Sequence, residues 1–218
     1  MRVIRDIEGQ LGLAEEPAPV CQAGEVRIAV HATAVNRADL IQRAGHYRPP
    51  PGASDVLGLE CAGEVVEAAP DVTGWRPGDR VCALLSGGGY ATEVCVPAGQ
   101  VLPVPDGISL TEAAALPEVV CTVHDALFVQ AAVQPGERVL LHAGGSGIGT
   151  MALQLLREHG AITAVTASAD KLPRCLALGA TTAIDRHAGD WWSHPSMKAG
   201  FDVILTRWGR ATCPTTSR

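Results

Sequence analysis

The run Val139-Leu140-Leu141-His142-Ala143-Gly144-Gly145-Ser146-Gly147-Ile148-Gly149 constrains the fold of this chain more than any other stretch. An apolar strand runs straight into a glycine-rich turn. Beyond the turn, Ile148, Met151, Ala152, Leu155 and Leu156 recur at i, i+3, i+4, i+7 and i+8, which is one face of a helix. Glycines let a pyrophosphate approach the backbone, and the helix N-terminus offers it free N–H groups and a positive dipole end. The spacing departs from G-x-G-x-x-G, because Thr150 stands where the third glycine belongs; it reads Ala143-x-x-x-Gly147-x-Gly149. A tight strand-helix turn without a ligand carries similar glycines, so the strand and helix around the turn carry the nucleotide reading.

The rest of the chain falls into two textures. From about residue 24 to 105 it is strand-rich and punctuated by Gly and Pro. Strand candidates cover 26–34, 63–69, 81–83 and 90–96, and Pro49-Pro50-Pro51-Gly52 forms a stiff loop. Short strands joined by such turns predict a compact, barrel-like β domain. From residue 111 helices and strands alternate. A short helix starts at Thr111, capped by Ser109 or Thr111, and a longer one runs from Glu118 to Ala132. Strand 138–143, helix 148–159, strand 161–167, helix 170–178 and strands 182–185 and 201–205 follow, a doubly wound α/β pattern.

Composition narrows the function classes. The 218 residues, 47% hydrophobic, suffice for one large or two small domains with a real core. A net charge of −6 argues against a broad nucleic-acid or anionic-membrane surface. The N-terminus has no continuous apolar segment of the secretory kind, and no stretch reaches membrane-spanning length. A soluble, cytoplasmic protein is expected. Seven scattered cysteines form no C-x-x-C pair and no zinc-spaced cluster, so buried, reduced thiols are expected and no metal.

Six collinear segments resemble the zinc-free quinone oxidoreductases of the medium-chain dehydrogenase/reductase superfamily. They are Ala34-Val35-Asn36-Arg37-Ala38-Asp39-Leu40, Gly45-His46-Tyr47-Arg48-Pro49-Pro50-Pro51-Gly52, Leu57-Gly58-Leu59-Glu60-Cys61-Ala62-Gly63, Trp75-Arg76-Pro77-Gly78-Asp79-Arg80-Val81, Ala115-Leu116-Pro117-Glu118 and His142 to Thr150. The Tyr-x-Pro-Pro-Pro-Gly loop and Leu85-Ser86-Gly87-Gly88-Gly89 are most similar to the tumour-suppressor-inducible branch. The resemblance implies an α/β chain: a GroES-like β domain at 1–110 carrying the substrate, then a truncated Rossmann domain at 111–205 carrying NADPH. In zinc-dependent relatives a cysteine holds the position of Asn36 and a Gly-His-Glu run supplies another ligand. Here that run is Gly58-Leu59-Glu60, and leucine cannot bind a metal.

The implied reaction is metal-free hydride transfer from NADPH to a quinone or conjugated carbonyl, with enoyl thioesters as a variant; a non-catalytic fragment or nucleotide-binding module is the alternative. By resemblance Asn36, Asp39 and Tyr47 line the substrate site. Asn36 can donate to a substrate oxygen, Tyr47 offers a phenol and an aromatic face, and Asp39 suits an orienting role. Asn36 equally fits an N-cap before Arg37, and Tyr47 a surface loop. The implied cofactor residues are Ala143, Gly144, Gly145, Ser146, Gly147, Ile148 and Gly149, with Thr122 near the ribose. Ser168 and Lys171 suit the 2′-phosphate of NADPH. Arg186 serves the same phosphate or is a surface charge. Asp170 fits the first turn of the next helix, or else a weak NAD preference. His142 reads as a packed residue. The tail 206–218 lacks apolar periodicity; a back-translation with one base restored after the Leu205 codon resumes the family pattern, so a frameshift is expected. Without the family's later strands, an exposed sheet edge, weak NADPH binding, aggregation and loss of the family homodimer are expected.

Overall fold

The computed structural model describes residues 1–7 and 9–206. The tail reading therefore falls almost wholly on residues 207–218, outside the described ones. The chain divides into two compact units, Met1–Glu118 and a second beginning at Val119.

The first unit opens on a hairpin of β1 (Arg2–Ile7) and β2 (Gln10–Glu15), with Ile7 opposite Gln10. It lies ahead of the region where strands were expected: of its apolar residues Val3 alone is fully buried, while Ile7, Leu11 and Leu13 remain exposed. The main sheet is antiparallel and contains β3 (Glu25–Thr33), β4 (Glu60–Ala68), β5 (Arg80–Leu84), β6 (Glu93–Pro97) and β7 (Val101–Pro103), in the order β6-β3-β4-β5-β7. Val26, Ile28, Cys61, Val65, Val81 and Val96 fill its interior, following the period-2 alternation of half-buried strands. Helix α1 (Arg37–Arg43) leaves the end of β3. The short helix α2 (Leu110–Ala113) is closed by a capping box: the Ser109 hydroxyl accepts from the Glu112 N–H at 3.2 Å, and the Glu112 carboxylate accepts from the Ser109 N–H at 2.8 Å. Ala113 and Ala114 then pack on Ala62 and Cys82. This packing carries the first unit past residue 110 into the start of α3 (Pro117–Val123).

The helix expected over 118–132 is not uniform. It ends as an α-helix at Val123, and His124–Gln130 form a wider π-type turn in which the Ala131 N–H donates to the Ala126 carbonyl at 3.2 Å. The widening seats Leu127 in the core and sets Phe128 edge-on to His159, with centroids 5.0 Å apart.

The second unit holds a parallel sheet of β8 (Arg138–His142), β9 (Ile162–Ala167), β10 (Thr182–Asp185) and β11 (Val203–Leu205), ordered β10-β9-β8-β11. Helix α4 (Gly147–His159) connects β8 to β9, and α5 (Leu172–Ala177) connects β9 to β10. Helix α6 (Pro195–Lys198) precedes β11. Two strands step to one side of β8 and β11 returns to the other, so the order reverses beside β8. In open α/β sheets that reversal, at the carboxyl ends of the strands, is where ligands bind. Val139, Leu141, Ala152, Leu153, Leu156 and Val165 form the core between α4 and the sheet. Among the described residues β11 pairs only with β8. No helix among them is long and apolar enough to cross a membrane.

Candidate functional site

Two polar sites stand out, one in each unit. In the second unit, β8 feeds the turn at 143–146. Ala143 adopts φ +59°, a left-handed conformation that costs a non-glycine residue about 1 kcal/mol. Backbone bonds hold it there: the Gly144 N–H donates to the Thr166 carbonyl at 3.0 Å, and the Ser146 N–H donates to the Ala143 carbonyl at 2.9 Å. Ser146 is the N-cap of α4, and its hydroxyl accepts from the Gly149 N–H at 3.1 Å.

The glycines of the turn have different jobs. A Cβ on Gly149 would lie 2.5 Å from the Gly144 carbonyl oxygen and 2.6 Å from that of Ala143. One on Gly144 would lie 2.7 Å from the Cβ of Val165. These two are demanded by packing inside the turn. A Cβ on Gly145 would meet the Lys171 stem at 2.6 Å, so this glycine makes room for that lysine. Gly147 is exposed, with its nearest neighbour, Val119 Cγ1, at 3.6 Å, and leaves the start of α4 open to a ligand.

Ala143, Gly145, Ser146, Ser168, Lys171 and Arg186, all singled out in the sequence, line one cavity of about 150 Å³ together with Ala167. Its size suits a phosphate group, and two cations converge on it. The Ser168 hydroxyl bonds the Asp170 carboxyl, which holds that acid below its usual range, helped by the charges of Lys171 and Arg186. Asp170 lies in the single helical turn Ala169–Lys171 ahead of α5, where the first-turn reading put it. The open turn, the free N–H groups at the start of α4 and this cationic cavity fit a phosphorylated dinucleotide. Of the other expected cofactor residues, Ile148 packs against the core and Thr122 is exposed on α3. His142 is packed, as expected: its Nδ1 meets the Thr166 hydroxyl at 2.8 Å, Trp191 lies edge-on at 5.3 Å, and burial lowers its pKa.

In the first unit, Asn36 and Asp39 come together and Tyr47 does not join them. Asn36 occupies the N-cap of α1 in extended conformation, as the capping alternative anticipated. Its backbone N–H donates to Asp39 Oδ2 at 2.7 Å, while its amide Nδ2 donates to Glu60 Oε1 at 2.7 Å. Asp39 Oδ2 also accepts from the Tyr90 hydroxyl at 2.9 Å, and Glu60 Oε2 accepts from the Glu118 N–H at 2.9 Å. Asp39 and Glu60 are only 2% and 1% exposed, and Asp39 Oδ1 is buried with no hydrogen-bond partner among the described residues. Tyr47 stands in the loop after α1, 41% exposed, and among the described residues no hydrogen bond ties it to Asn36 or Asp39.

Three acids thus gather, and among the described residues no ion pair reaches them; Arg5 pairs with Glu16, Arg27 with Glu67 and Glu93, and Arg43 with Asp6. Burial pushes the Glu60 carboxyl above the usual range; its bonds from Glu118 and Asn36 oppose that, and the Asp39 charge adds to it. Glu118 rises too, by burial first and then by the charges of Glu60 and Asp39. Burial and the Asp39 bond push the Tyr90 phenol far above its usual range, so it stays a neutral donor. One amide N–H of Asn36 is spent on Glu60, and the other is the donor left for a carbonyl oxygen.

Glu60 and Tyr90 were not among the expected site residues. Glu60 had one signal: a lone acid inside the apolar strand Leu59-Glu60-Cys61-Ala62, where a charge needs partners to be buried. Tyr90 had none, because its bond to Asp39 spans 51 positions.

Residues 22–106 match the family described as "Alcohol dehydrogenase GroES-like domain". Over 182 residues the chain is 41% identical to the phenolphthiocerol synthesis polyketide synthase type I Pks15/1 of Mycobacterium marinum, covering 82% of this chain and 8% of that protein. The solved CurK enoyl reductase superimposes with a TM-score of 0.85 at 28% identity, over 94% of this chain and 66% of that one. The quinone oxidoreductase of Thermus thermophilus, solved also with NADPH, gives 0.81 at 33% identity, over 96% of this chain and 68% of that one. The chain therefore spans a small part of the synthase and about two thirds of the solved chains. A GroES-like β domain followed by a parallel α/β unit is the fold expected from the sequence.

Proposed function

The chain belongs to the medium-chain dehydrogenase/reductase superfamily, and on that premise we propose that it is a cytoplasmic NADPH-dependent oxidoreductase that reduces a quinone or related conjugated carbonyl without a metal. The observation that carries the reading is the cationic cavity beside the glycine turn, where Lys171 and Arg186 meet. Bound NADPH supplies the hydride, so the protein's part is binding, orientation and electrostatics. The N–H groups of Gly147 and Ile148 at the start of α4 suit the pyrophosphate, Ser168, Lys171 and Arg186 the 2′-phosphate, and Thr122 the ribose. Asn36 offers its second amide N–H to the acceptor oxygen, where negative charge develops. Tyr47 provides an aromatic face from its exposed loop. Asn36 and Leu59, which occupy the positions of family zinc ligands, hold a metal poorly: one offers a neutral amide and the other a hydrocarbon.

A second acceptor class, the enoyl thioester, is favoured by the likeness to a polyketide synthase and to an enoyl reductase. Fluorescence titration with NADPH, followed by NADPH oxidation in the presence of a benzoquinone or a crotonyl thioester, tests both. Turnover with the quinone supports the first reading, and turnover with the thioester alone moves the function to the second. Binding without turnover leaves a nucleotide-binding module and overturns both.

A further inference from the structure

We infer that Glu60 is a positioning residue for this reduction, fixing the Asn36 amide so that its second N–H faces an acceptor oxygen; the inference rests on the reading of Asn36 given above. The two ends of an asparagine amide have nearly the same shape, so partner chemistry decides which way the group points. Here the partner is a carboxyl whose two oxygens meet two donors. Glu60 Oε2 is taken by the backbone N–H of Glu118 at 2.9 Å. That N–H lies in the first turn of α3, has no helical partner of its own and cannot rotate away. Glu60 Oε1 is then left to face Asn36, and an ionised carboxylate oxygen at 2.7 Å admits only the NH2 end of the amide.

The anchor itself is rigid. Glu60 is 1% exposed, which keeps water from replacing either bond, and the Thr33 hydroxyl donates to the Glu60 carbonyl at 2.7 Å. The Asn36 backbone is held separately, through Asp39 at 2.7 Å and, behind it, Tyr90 at 2.9 Å. Two buried acids thus fix one residue: Asp39 its main chain and Glu60 the sense of its side chain.

The substitution that separates this role from a structural one is Glu60→Gln. Glutamine keeps the volume but has a single oxygen. With that oxygen on the fixed Glu118 N–H, its NH2 end faces Asn36, and the Asn36 amide must turn over to accept from it. The Glu118 N–H keeps its acceptor and one N–H of the introduced glutamine gains the Asn36 oxygen, while its second N–H is left unmet, at a cost in stability. The substrate-facing N–H is exchanged for an oxygen.

E60Q should therefore fold with a lowered unfolding temperature, from the unmet N–H of the introduced glutamine, and bind NADPH as the wild type does, while kcat for a benzoquinone falls about tenfold, the effect of one lost hydrogen bond. The Asn36 side-chain amide resonances, which a carboxylate partner sets apart in a proton–nitrogen correlation spectrum, should move in E60Q. Glu60→Asp, which keeps both oxygens, should leave kcat between the two. Unchanged kcat or unmoved resonances in E60Q overturn the inference; should E60Q fail to fold, a kcat of E60D equal to that of the wild type overturns it instead. Absence of wild-type turnover with any acceptor overturns the proposed reduction instead, and the Asn36 resonances then still decide whether Glu60 orients the amide.

Discussion

The glycine turn of the second unit and the acid cluster of the first are built by opposite means. The turn is a contiguous stretch, Ala143 to Gly149, shaped by backbone approach and bordered by the cations Lys171 and Arg186. The cluster is gathered from positions 36, 39, 60, 90 and 118, shaped by side-chain hydrogen bonds and carrying three acids that no ion pair among the described residues reaches. One site is limited by space and the other by the count of donors and acceptors. A single added carbon should break the first, whereas the second should respond to changes of polarity that leave volume alone.

The largest effect should come from Gly149→Ala. Its new Cβ would stand 2.5 Å and 2.6 Å from two backbone carbonyl oxygens, and backbone cannot swing aside as a side chain can. The turn must open, at a cost of about 3 kcal/mol. NADPH affinity should fall by at least about 100-fold, as that energy implies. Fluorescence titration reads the affinity and urea unfolding the stability. An unchanged affinity would show that the turn is not limited by space, and the contrast would collapse.

Next in size is Asp39→Ala in the cluster. It removes the acceptor of both the Asn36 N–H and the Tyr90 hydroxyl, and leaves two part-buried donors unpaired. A loss of about 2 to 3 kcal/mol in the stability of the first unit is expected, read by urea unfolding followed through Trp75, which lies in that unit. Asp39→Asn, which keeps one oxygen for both donors, should cost clearly less. Equal losses for the two variants would mean that volume rather than hydrogen bonding governs this site.

The same contrast explains what the sequence could tell. The turn is local: strand, glycines and helix are adjacent in the chain, so its position and its cavity residues Ala143, Gly145 and Ser146 could be read directly. Lys171 and Arg186 were within reach because they follow the next two strands in a regular α/β succession. In the cluster, Asn36 and Asp39 were legible because they share one helix start. Their partners were not, since Glu60 and Tyr90 reach them only through the pairing of β3 with β4 and the path of the 85–90 loop. The β1–β2 hairpin escaped because Val3 is its one fully buried apolar residue, and the π-type turn at 124–130 because its apolar spacing differs from that of an α-helix by only one residue.

Lys171→Ala tests the electrostatic half of the contrast. Lysine and arginine together favour a phosphate in the cavity, and losing one charge-assisted bond should weaken NADPH about tenfold while leaving NADH nearly unchanged. The tenfold gap should narrow as salt rises, because the site is open to solvent. Equal weakening of both nucleotides would assign Lys171 to the shared pyrophosphate and remove the basis for NADPH preference.

The smallest effect should be the pH response of the cluster, and it is the most specific to a site limited by charge. Glu60 and Glu118 both titrate above the ordinary glutamate range in the folded protein, chiefly because burial disfavours their charged forms and secondarily because the Asp39 charge acts on both and the Glu60 charge on Glu118. A raised folded-state pKa means that the folded form holds the proton more tightly than the unfolded chain does. The associated stability is thus fully present below the unfolded glutamate value of about 4.3, and is lost as the pH climbs through the raised folded value. The first unit should therefore weaken across that interval. Glu118→Gln removes one of the acids while leaving the backbone N–H that serves Glu60 in place. It should flatten the decline, modestly because Glu118 is only half-buried and solvent screens its charge. Urea midpoints for the first unit at mildly acidic and neutral pH measure the slope. A variant as steep as the wild type would show that the Glu118 carboxyl contributes nothing to the decline, leaving it to Glu60.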